Sequence, residues 1–117
     1  MNAELIEKSQ KFGEKVIRFC KEVKLDAITQ SLITEIVQSA TSIGALIVKA
    51  DGNVDSRTYV RRLDSCKAYC LETKHWLRMI AEADSETKEK CRELWKEAQE
   101  LENIFTKMLL NSNLKNN

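Results

Sequence analysis

Leu5, Phe12, Val16, Phe19 and Val23 recur at spacings of three, four and seven, the stripe of a helix that buries one side. Glu7, Lys8, Lys11, Glu14, Lys15 and Arg18 fill the intervening positions, so an amphipathic helix is expected over about residues 3 to 23. The link Lys24 to Asp26 ends in a residue suited to N-capping, and a second helix follows with Ile28, Leu32, Ile33, Ile36, Val37, Ala40, Ile43 and Ile47 as its apolar positions. Its apolar arc is wide, which predicts burial on more than one side. Asp51-Gly52-Asn53 signals a turn, and Asp55 or Ser56 can cap a third helix reaching about Ala81, with Tyr59, Leu63, Cys66, Cys70, Thr73, Leu77 and Ile80 as its core stripe. Ala83-Asp84-Ser85 breaks the chain again before a fourth stripe of Cys91, Leu94, Trp95, Ala98, Leu101, Phe105 and Met108. Residues 112–117 read as a polar, frayed tail.

Four helices with short links predict an all-α fold, an antiparallel up-down-up-down four-helix bundle formed by a single domain, residues 1–111. Composition agrees. Proline is absent, glycine occurs three times, and 32% of residues are charged, which favours helices over hairpins or sandwiches.

Nineteen Lys and Arg face eighteen Asp and Glu, so net charge gives no ground for a nucleic-acid or membrane partner, and any such partner has to be recognised locally. No run of about 18 apolar residues is present and the opening MNAELIEKSQKFGEK lacks a signal core. A cytoplasmic protein without a membrane partner is the expectation. Cys20, Cys66, Cys70 and Cys91 contain no C-x-x-C pair and are accompanied by one histidine, so reduced, buried thiols are expected and no metal site.

Gly44 lies inside the longest apolar run, Ala40 to Gly52, ATSIGALIVKADG. A helical glycine costs about 1 kcal/mol relative to alanine, so the missing side chain needs a use. Close packing supplies one. Ala40, Ile43, Gly44 and Ile47 form a helix-packing surface, either a tight crossing within the chain or a contact between subunits.

At about 100° per residue, Arg57, Arg61, Lys67, Lys74 and Arg78 fall in one arc beside the third helix's core stripe, with Asp64 interrupting them and His75 among them. Such an arc can follow a phosphate backbone, or it can be a solvated face paired to acidic neighbours. Trp76 and Trp95 could stack on bases, but their helical spacing among apolar residues favours packing. His75 has no recognisable catalytic companion, and Gly52-Asn53-Val54-Asp55 lacks a phosphate-cradling glycine pattern. No enzyme activity and no cofactor are expected.

EKSQKFGEKVIRFCKEV, ATSIGALIVKA and LETKHWLRMI together resemble the opening helix, the central S-I-G-A block and the E-T-x-x-W-L block of the bacterial large-subunit rRNA intervening-sequence proteins. That family is related to the accessory variability proteins of diversity-generating retroelements. Ser42, Glu72, Thr73, Trp76 and Leu77 carry the motif. The resemblance implies a ring-shaped homopentamer of four-helix bundles and a non-enzymatic accessory role, with a reverse transcriptase and RNA or DNA as partners. It also leaves open a structural or protein-interaction bundle with no autonomous nucleic-acid binding. Leu46 and Lys49 stand where the family pattern has Asn and Glu, which puts any shared polar network between helices in doubt.

Overall fold

In the computed structural model, residues 3–52 and 54–116 are described, with side chains through 112. Helix α1 spans Ala3–Cys20, α2 Ala27–Ala50, α3 Ser56–Ala83 and α4 Lys88–Asn116, with a single 3-10 turn, Ser85–Thr87, leading into α4. The turn residue Asn53 lies outside the described residues, as does Asn117.

The helix starts follow from local hydrogen bonding. Asp26 accepts from the backbone N–H groups of Ile28 and Thr29, each at 2.9 Å, while the Thr29 hydroxyl accepts from the Asp26 N–H at 2.9 Å. This reciprocal capping box satisfies amides that α2 leaves unpaired. Asp55 caps α3 by accepting from the Thr58 N–H at 2.8 Å. The α1 end is earlier than its stripe suggests, because Glu22 and Val23 donate to Phe19 and Cys20 in tighter turns, yet Val23 still reaches the core. Helix α4 instead outruns the expectation of a frayed end, continuing to Asn116, a segment with no proline or glycine to stop it.

Both caps titrate. The Thr29 amide, followed by that of Ile28, holds the Asp26 carboxyl below its ordinary value of 3.8, and the Thr58 amide and hydroxyl do the same for Asp55. A depressed carboxylate contributes stability above its unfolded pKa and loses it as pH falls through the folded one. Acid titration of the unfolding midpoint is therefore expected to show a decline beginning near pH 4, shallower in Asp26→Asn and Asp55→Asn. Parallel acid limbs in all three proteins would contradict this.

The connections place the helices antiparallel. The Lys24 N–H donates to Asp84 Oδ2 at 3.1 Å, bringing the α1–α2 and α3–α4 links to one end. Arg62 donates to the Lys49 carbonyl at the other end, where a cation suits the C-terminus of α2. The result is a four-helix bundle of 49 × 22 × 20 Å.

Phe12, Val16, Ile36, Ile43, Ile47, Leu63, Leu77, Leu94, Leu101 and Phe105 form the fully buried centre. Two apolar positions depart from the sequence reading. Ile28 is 67% exposed and Trp95 is 41% exposed, so both stand outside the core.

At the α1–α2 crossing, a Cβ on Gly44 would lie 3.3 Å from Gln10 Cγ and 3.4 Å from Gln10 Cα, and one on Gly13 would lie 3.5 Å from Thr41 Cα. The two glycines bring the backbones together from opposite sides. Ala40, Ile43 and Ile47 are completely buried and Gly44 is buried beside them. Of the two readings of these four residues, packing within the chain is the one realised, and they offer no surface to a second subunit.

Candidate nucleic-acid interface

Helix α3 carries the five basic residues read from the sequence, but its neighbours divide them. Arg57, Arg61 and Arg78 are exposed and Lys67 is half-buried. Arg61 and Lys67 border a shallow depression on α3 together with Asp64 and Leu71, whose side chain is 49% exposed.

Lys74 requires a correction. Its ammonium lies 2.8 Å from Glu102 Oε1, with side-chain exposures of 13% and 14%, and it donates to Gln99 Oε1 at 2.7 Å. The same ammonium sits over the Trp95 ring, 4.8 Å from its centroid. A cation committed to a carboxylate, an amide oxygen and an aromatic face inside a helix interface is not free to take a phosphate.

Arg78, one turn further along α3, faces differently. It lines a cleft of about 360 Å³ between α3 and the start of α4, whose floor is Leu77, Ala81 and Cys91. Lys88, Arg92 and Trp95 of α4 complete one wall and Glu82 of α3 adds a carboxylate. Three cations and one acid thus share the lining with an exposed indole. The sequence arc did not include Lys88 or Arg92. Their spacing from Trp95, seven and three residues, was a usable signal, but only the register of α4 against α3 places them beside Arg78.

The motif residues have mainly architectural positions. Thr73 is buried, donates to the Tyr69 carbonyl at 2.8 Å and sits 2.9 Å from the Ser39 hydroxyl of α2, a polar tie inside the α2–α3 interface. Leu77 is completely buried. Trp76 packs partly against the core, with His75 edge-on at 4.7 Å between ring centroids. Glu72 and His75 are exposed. Ser42 returns its hydroxyl to the Gln38 carbonyl at 2.6 Å. Leu46 is half-buried against the core and Lys49 is exposed.

All four cysteines are free and buried. Burial raises the thiols of Cys66 and Cys70 to about 12 and, aided by neighbouring Cys91, that of Cys20 to about 11. They are unreactive core fillers at neutral pH. Among the described residues, no group of three or more His, Cys, Asp or Glu converges as metal ligands. Helix α2 is long and apolar enough to cross a membrane by length and composition, yet it supplies the central core face of the bundle.

These features define a four-helix bundle whose distinctive chemistry is surface charge. The chain belongs to the 23S rRNA-intervening sequence protein family, whose profile matches residues 1–107. The fold is shared with a protein of unknown function from the S23 ribosomal protein family of Bacteroides thetaiotaomicron VPI-5482. The two align with a TM-score of 0.79 at 21% identity, covering 90% of this chain and 97% of the other. No curated protein matches the chain.

Proposed function

We propose that this protein is a non-enzymatic, self-associating accessory module that holds nucleic acid and leaves catalysis to a partner. The observation that carries the reading is the separation of charge between faces. Arg57, Arg61, Lys67 and Arg78 stand on the outer side of α3, while α2 has only Glu35 and Lys49 as charged residues along its whole length. Ser31, Thr34, Gln38 and Ala45 lie on the outer side of α2 with Glu35 and Lys49 beside them, a sparsely charged strip that copies can share while desolvating few ions. Assembly into a ring, a homopentamer by the family resemblance, would repeat a weak cationic surface and convert it into a useful one. A reverse transcriptase, as in diversity-generating retroelements, is the catalytic partner this reading places beside it, in the cytoplasm.

Light scattering is expected to give a mass five times the 13.5 kDa chain, and structured RNA is expected to be retained at low salt and released as salt rises. Replacing Arg57, Arg61, Lys67 and Arg78 by alanine should weaken retention by at least about tenfold and flatten its salt dependence. An oligomer indifferent to RNA would instead support a structural or protein-interaction bundle. That second reading is favoured by the near balance of charge and by the internal pairing of Lys74.

A further inference from the structure

The cleft between α3 and α4 differs from the other basic surface of the molecule in having a flat aromatic wall. Trp95 is 41% exposed, although an indole normally gains by burying most of its area. Its ring is not loosely held, because Lys74 lies over it and is itself fixed by Glu102 and Gln99. Arg78 from α3 and Lys88 and Arg92 from α4 gather beside the ring, with Glu82 as the single carboxylate in the lining. An anion alone would use the cations and leave the exposed part of the indole uncovered. An aliphatic ligand would use the floor and leave three charges unanswered.

We propose that this cleft is a nucleotide subsite, in which a base lies against Trp95 and the attached phosphate is held by Arg78 and Arg92, with Lys88 at the rim. The proposal deepens the nucleic-acid reading above and rests on it for the polymer. Aromatic side chains bind unstacked bases of single strands, whereas paired bases keep their faces covered. A volume of about 360 Å³ falls at the small end of ligand sites, roughly 300–1,000 Å³, and suits one nucleotide rather than a folded element. Glu82, one helical turn from Arg78 on α3, is the lining group that disfavours a phosphate on its own side of the cleft.

The test uses Trp76→Phe protein, in which Trp95 is the remaining tryptophan and reports directly by fluorescence. A short single-stranded oligoadenylate RNA is expected to quench it. Trp95→Ala in the native background, and separately Arg78→Ala with Arg92→Ala, should weaken binding of the labelled RNA by about tenfold. Trp95→Phe should retain most of it, and the matching duplex should bind about tenfold more weakly. Thermal melts of each variant separate lost binding from lost folding. AMP tested alongside distinguishes a free nucleotide from a unit of RNA: quenching by both at similar concentrations supports the subsite with the monomer as its ligand. RNA retained without quenching, and unaffected by Trp95→Ala, would overturn the subsite while leaving the nucleic-acid reading intact. Quenching by AMP with no RNA retained at low salt would uphold the cleft and overturn the reading of a polymer partner. No response to either probe would overturn both.

Discussion

Gly44→Leu is expected to destabilise the bundle by about 3 kcal/mol, the upper range for forcing extra volume into a packed site, while Gly44→Ala stays within about 1 kcal/mol of the parent. A methyl group meets the flexible Gln10 Cγ at 3.3 Å and only ordinary contact with the α1 backbone at 3.4 Å. The alanine also recovers about 1 kcal/mol of helix propensity, which offsets the small adjustment. Further carbons have to push α1 off α2. Denaturant unfolding of the two variants reads the difference, and equal stability would show that the crossing is looser than the Gln10 approach requires.

Glu102→Ala is expected to cost about 3 kcal/mol, because it leaves the Lys74 ammonium largely buried without its carboxylate. Lys74→Met should cost a similar amount by stranding Glu102. Their side chains are 13% and 14% exposed, so solvent screens the pair weakly. The combined variant Lys74→Met with Glu102→Leu removes both charges and should return to within about 1 kcal/mol of the parent. Additive losses in that double-mutant cycle would mean that the two residues act independently. Lys15→Ala is a useful contrast, since its bridge to Glu97 at 2.8 Å joins partly solvated side chains and is worth less than about 1 kcal/mol.

The helices and their first residues were legible because their causes are local. Asp26 and Asp55 cap the segments that follow them, and the stripe Leu5, Phe12, Val16 and Phe19 is buried as its spacing demands. Positions flanking a stripe were less legible. Lys74 and Arg78 lie one helical turn apart on α3, so a wheel treats them as equals, yet Glu102 meets one and the open cleft meets the other. Which neighbour covers a flanking residue depends on how α4 is shifted along α3, and no short-range pattern encodes that shift. Trp95 was assigned to the core for the same reason. Gly44 was recognised as a close approach, but whether α1 or another copy made it depended on the position of Gln10, far away in sequence.

The junction of α1 with α4 differs from the other helix pairs. Successive helices pack extensively on one another, whereas α1 and α4 meet sparsely and are bridged at the surface by Lys8 to Glu100 at 3.4 Å and Lys15 to Glu97 at 2.8 Å. An opening of about 400 Å³ beside Leu5, Ile104 and Met108 lies in the same seam. Contacts that join neighbours along the chain close short loops, which favours rapid folding, on the microsecond to millisecond scale for helical bundles. The α1–α4 contact spans the largest loop and is expected to close last. Its ionic part weakens as salt screens it, so amide exchange should be fastest, and most sensitive to salt, along the outer face of α1. The bundle is thus a folded strip with a seam, along which the surface bridges to α4 are expected to part before Phe12 and Val16 of α1 leave the core.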